Sequence, residues 1–179
     1  MTINFATVRN SLYTWATANV PSTMPVIYLY NNSPRPTVDY VTLYIASVVQ
    51  IGRDWIQGPL DNTGSSIDVG DREFTLNLQA YGGDPLTVLE NLRSSLQNPS
   101  VLDSLKTNGI AYVNWFPITD TTTLIDSRFE QRASLDLLFR IAQNQTINVG
   151  NINTVNVEET ILNPTGTTNY HETYTIPPP

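Results

Sequence analysis

The sequence predicts an α+β domain: a mainly antiparallel sheet of four to six strands with helices packed on one face, plus an extended C-terminal arm. Three observations predict it. Residues 128–141 alternate apolar with polar in the clearest strand pattern of the chain, the period of a strand with one buried face. From Phe74 to Ala142 the elements read strand–helix–helix–strand–strand, an order that sets helices beside an antiparallel sheet. Beyond Gln143 the composition changes: no Lys or Arg, seven asparagines and many threonines.

Residues 3–18 carry Phe5, Val8, Leu12, Trp15 and Ala16 on one side of a helix that has ended by Pro21. Val26 to Tyr30 reads as a short strand, and Asn31 to Pro36 as a turn region held extended by two prolines. Residues 38–51 form a longer strand that is apolar on both faces, which suits a central position. From Gly52 to Asp71 glycines and a proline break the pattern, yet Trp55, Ile56, Leu60 and Ile67 are too apolar for a solvated linker. Two readings fit this segment: an irregular hairpin, or a loop lying against a neighbouring subunit.

The next strand turns Phe74, Leu76, Leu78 and Ala80 one way, and Gly82-Gly83 stop it. Asp84-Pro85 and Asn98-Pro99 each give a helix start, an N-cap acceptor followed by a proline at the first turn. Leu86, Val88, Leu89, Leu92 and Leu96 stripe the first helix; Val101, Leu102 and Leu105 stripe the second, which Asn108-Gly109 ends. Ile110 to Phe116 is a strand, and Pro117 to Asp126 a polar loop. In the closing strand Phe129, Gln131, Ala133, Leu135, Leu137, Phe139 and Ile141 face the core. Arg128, Glu130, Arg132, Asp136 and Arg140 lie on the other face, alternating in sign. That face is either a solvent face or a subunit interface whose charges fix register.

The domain spans 1–142 and the arm 143–179. The arm is either mobile or ordered by adding strands to another chain, with Ile147, Val149, Ile152, Val155, Val157 and Ile161 as its recurring apolar residues.

Composition excludes several functions. The chain has 179 residues and a net charge of −7, with Lys106 its only lysine. Its arginines are scattered singly, so there is no basic patch for sequence-specific nucleic-acid binding. It has no cysteine, hence no disulfide or thiolate-bound metal. No apolar run reaches the ~20 residues of a membrane span, and no basic-then-apolar signal opens the chain. The expected setting is soluble and cytoplasmic.

Chemistry is sparse. The only histidine, His171, sits in the arm, away from any partner for a metal site or a triad. Tyr81-Gly82-Gly83-Asp84-Pro85 lacks both the phosphate-loop and the dinucleotide spacing, so it reads as a tight turn. Asp61, Asn62, Asp68 and Asp71 miss the calcium-loop spacing and its closing Glu. No catalytic residue, cofactor or metal is expected.

The segment LNLQAYGGDPLTVLENLRSSLQNPSVLDSLKTNGIAYV followed by DSRFEQRASLDLLFRI resembles the tail terminator (neck) proteins of contractile-tailed bacteriophages. There, a strand ending in Tyr-Gly runs into a Leu-rich helix, a short second helix, a strand, and a closing strand of this pattern. The resemblance covers about residues 3–142 and leaves the arm outside. It implies a structural virion protein, assembled in the host cytoplasm, that forms a hexameric ring on the tail tube. The ring meets the head-side connector and lets DNA pass through its lumen. Alternatives are another neck or head-closure subunit, or a carbohydrate- or protein-binding module using Trp55, Trp115, Tyr112 and Tyr28. Candidate subunit-contact residues are Arg128, Glu130, Arg132, Asp136, Arg140, Trp55, Ile152, Val155 and Val157.

Overall fold

The computed structural model describes residues 3–32, 34–57, 65–148, 150, 155–162, 164–166 and 168–176. In order, the elements are α1 (Phe5–Ala18), β1 (Val26–Tyr28), β2 (Tyr40–Gln57), β3 (Ser65–Tyr81), α2 (Pro85–Ser95), α3 (Pro99–Thr107), β4 (Ile110–Trp115), β5 (Thr119–Asp120), β6 (Thr123–Ile125), β7 (Arg128–Glu130), β8 (Arg132–Asn148), β9 (Val155–Leu162) and β10 (Thr168–Ile176). Two compact units divide the chain: residues 1–55 with 68–145, and residues 56–67 with 146–179.

In the first unit the helices begin as their capping residues dictate. Asn4 accepts from the backbone of Ala6 and Thr7, Asp84 from Thr87 and Asn98 from Ser100, with proline just inside the last two helices. Gly109, at φ +74, ends α3 by donating to the Lys106 carbonyl.

The sheet runs β1-β2-β3-β8-β4, with β5 also on β8. β1 is parallel to β2, while β4 and β5 are antiparallel to β8. Glu73 meets Arg140 while Asn77 meets Asp136, so β3 and β8 also run in opposite senses. All three helices send their buried side chains to one face. There Leu12, Trp15, Leu89, Leu92 and Leu105 join Leu43, Leu76, Leu78, Leu135 and Leu137 in one core, each buried leucine contributing about 1.5–3 kcal/mol. Phe139 is the hub, stacked on Phe74 and edge-on to Trp15 and Tyr112. The Trp15 indole N–H donates to Ser95 Oγ at 3.0 Å, tying α1 to α2.

The fold class is as the alternation and order imply, but several boundaries differ. The broken segment from Gly52 is largely strand: β2 runs on to Gln57 and β3 starts at Ser65. Gly52 takes φ +68, and such a kink scrambles a strict period of two. Past it, Arg72 grips both oxygens of Asp54 at 2.7 and 2.5 Å, over Gly70, where a Cβ would strike that carboxylate. Gly58-Pro59, Leu60, Asp61, Asn62 and Gly64 lie outside the described residues. The loop from Pro117 contains β5 and β6. Phe129 is not core: it is 76% exposed, because the chain breaks at Gln131 and β7 pairs with β6 in a separate two-stranded sheet. Leu86 is exposed as well, lying off the buried stripe of α2.

β8 continues to Asn148, past the expected domain end at 142. In the second unit β9 and β10 pair antiparallel with each other, Val157 opposite Tyr174 and Ile161 opposite Tyr170. Pro164-Thr165-Gly166 supplies turn residues between them, Gly166 at φ +77. Here β9 and β10 take each other as partners, a pairing beyond the two expectations of a mobile arm or of strands added to another chain.

Candidate subunit-contact face

Burying alternate residues of β8 from Ala133 to Ile141 turns Arg132, Ser134, Asp136, Leu138 and Arg140 to the sheet face away from the helices. β3 adds Asn77, Gln79 and Tyr81 to that face, and β2 adds Tyr40, Thr42 and Tyr44. These side chains are linked along the sheet. Arg140 donates to Glu73 at 2.9 Å. The Asn77 amide donates to Asp136 at 2.6 Å and to Ser134 at 3.0 Å. Gln79 donates to Asn77 at 3.0 Å, and the Tyr81 hydroxyl donates to Gln79 at 2.6 Å.

At the end of this ladder Tyr81 stacks on Tyr40. Arg35 stands 5.5 Å from the Tyr40 ring and 5.7 Å from that of Tyr81, and Arg132 stands 5.2 Å from Tyr81. Both arginines form ion pairs with Glu130. Burial pushes the Tyr40 hydroxyl pKa up, with Arg35 pulling the other way, so the ring stays neutral and packs as an apolar surface. A groove of about 470 Å³ opens between Arg35, Asp39, Tyr40, Tyr81, Gly82 and Glu130. Thr42 Oγ1 and Arg140 Nε are buried without a hydrogen-bond partner among the described residues.

Three of the expected contact residues, Arg132, Asp136 and Arg140, therefore lie on one face, and Glu130, on β7, joins them through its ion pairs with Arg35 and Arg132; each is held by a neighbour within the chain. Arg128 is exposed on β7, opposite Ile125. Trp55 is 57% exposed near the end of β2. Val155 and Val157 sit on β9, with Val157 exposed, and Ile152 lies outside the described residues. Sequence reasoning missed Arg35, Glu73, Asn77 and the Tyr40–Tyr81 stack. The signal for Arg35 was its place between two prolines, which fix the backbone on either side. The polar phase of β3 was the signal for Asn77, Gln79 and Tyr81.

Among the described residues no three His, Cys, Asp or Glu side chains gather as a metal site. A cleft of about 460 Å³ between α1 and α3 is lined by Thr7, Asn10, Ser11, Ser104 and Asn108, with no acid or base in its lining. His171 stands on β10 opposite Thr160. Among the described residues no helix is long and apolar enough to cross a membrane.

The model of the phage neck terminator protein family matches residues 6–165. The chain belongs to that family. This neck terminator is a structural protein of the phage tail and neck, located in the virion and associated with other tail and neck proteins. The match extends beyond the residues that carried the resemblance: it runs through β9 to Thr165, so most of the arm belongs to the family pattern rather than departing from it. No curated protein matches the chain.

Proposed function

We propose that six copies of this neck terminator close a ring on the end of the tail tube, stop its growth, and present a surface to the head-side connector. The family match over residues 6–165 carries the proposal. Charge is consistent with it: six copies at −7 make an assembly of −42, and an acidic lumen repels the DNA that passes through it. A preformed sheet face rigid enough to set register suits a subunit that must close a ring. On this reading the work of the protein is shape and contact.

Light scattering on the purified chain, alone and with tail tubes, tests this. Six copies of 19.9 kDa give a species of about 119 kDa, and tubes grown in its presence should end in a cap visible by electron microscopy. A chain that stays monomeric and leaves tube length unchanged would point to another neck or head-closure subunit instead.

A further inference from the structure

Every strand residue of the β6–β7 hairpin except Glu130 is exposed. Thr123 pairs with Glu130, Leu124 with Phe129 and Ile125 with Arg128 across its two strands. Leu124 is 57% exposed and Phe129 76%, and they are direct cross-strand neighbours, so they form one apolar knob. A two-stranded ribbon is at best marginally stable alone, yet the base of this one is firmly held. Arg35 and Arg132 grip Glu130, Arg132 N–H donates to Thr122 Oγ1, and Thr121 N–H to the Arg132 carbonyl. Thr122 in turn donates to Asp120 at 2.8 Å. A fixed base with an uncovered apolar tip is the form of a plug.

A groove of about 570 Å³ lies elsewhere in the same unit, beside the edge strand β1. It is lined by Tyr28, Leu29, Tyr30, Tyr44, Ile45 and Val48, and no residue of the hairpin contributes to it. Tyr30 is held at φ +64, where a bulky residue is strained. That conformation leaves it 83% exposed, its ring edge-on to Tyr44 at 5.8 Å. Arg9 stands at the groove and Asp126 at the hairpin turn. Among the described residues neither enters an ion pair.

We infer that the Leu124–Phe129 knob of one copy seats in the Tyr30–Tyr44 groove of the next, with Asp126 meeting Arg9. Apolar tip meets a groove walled by Leu29, Ile45, Val48 and three tyrosine rings, and acid meets base. Knob and groove are different surfaces of one chain, so the contact is head-to-tail, the kind that closes rings rather than two-fold dimers. This rests on the ring proposed above and names its subunit contact.

The absence of cysteine makes the test clean. Phe129→Cys and Val48→Cys chains, mixed and mildly oxidised with and without tail tubes, should form a disulfide with each other, and a chain carrying both should give a ladder of oligomers. Phe129→Asp should raise the concentration needed for assembly at least tenfold, as loss of an interface anchor does, with the thermal midpoint unchanged. Asp126→Arg and Arg9→Asp should each weaken assembly and together restore it. A species of about 119 kDa that forms without the Phe129–Val48 link, or is indifferent to Phe129→Asp, overturns this contact and leaves the ring standing. Links only between two Phe129→Cys chains overturn it in favour of a two-fold contact. A chain monomeric under every condition overturns the ring and the contact together.

Discussion

Tyr40 and Tyr81 lie face to face on the helix-free side of the sheet, ring centroids 4.5 Å apart and planes within 6° of parallel. They join the start of β2 to the end of β3, and Arg35, Arg132 and Glu130 close over them. A double-mutant cycle on Tyr40→Ala and Tyr81→Ala should give a coupling of about 0.5–1.5 kcal/mol beyond lost burial. Tyr81→Phe should cost only about 1 kcal/mol, since it removes just the bond to Gln79. Denaturant unfolding of the four variants measures both, and additive single-mutant effects would mean that the stack does not form in solution.

The core face of β8 should be intolerant. Leu135 and Leu137 are fully buried, so Leu135→Ala or Leu137→Ala should each lower stability by about 2–5 kcal/mol. Phe129→Ala, on the exposed hairpin, should stay within about 0.5 kcal/mol, as surface changes do. A midpoint for either leucine variant matching the parent would place the core elsewhere.

Glu90 gives a pH signature. Its hydrogen bonds from Arg93, and then from Ser94, bring its pKa down to about 2. A depressed carboxylate contributes stability that is present above its unfolded value, about 4.3, and fades as pH falls towards 2. An NMR titration of the Glu90 carboxyl should therefore show a midpoint well below the ordinary range, and Glu90→Gln should remove that part of the acid dependence. A midpoint near 4.3 would mean the pair is open in solution.

Removing residues 146–179 should leave the first unit folded. Its buried core falls between Val8 and Ile141, and β9 and β10 take each other as strand partners. The thermal midpoint should be nearly unchanged while joining of tail to head is impaired. A truncated chain that fails to fold as a soluble species would make the arm part of the core.

The sequence by itself determined the local elements. Capping residues at Asn4, Asp84 and Asn98, prolines at two first turns, Gly109 at the end of α3 and the period of two in β3 and β8 act within a few residues of chain. Their outcome depends little on what lies across the fold. The spacing of leucines likewise marked one buried face. Tertiary structure decided the rest, because it depends on which residues meet across the sheet. Gly52 and Gly70 read as loop residues until Asp54 and Arg72 pair across β2 and β3. Phe129 continues the apolar phase of β8 in sequence, yet the break at Gln131, whose carbonyl accepts from the Gly82 N–H at 2.9 Å, carries it onto a separate hairpin. The charges of β7 and β8 read as either a solvent face or an interface, but the partners of Arg140, Asp136 and Glu130, namely Glu73, Asn77 and Arg35, are 67, 59 and 95 residues away in the chain. Periodicity records which face a side chain occupies; only the folded sheet assigns its partner.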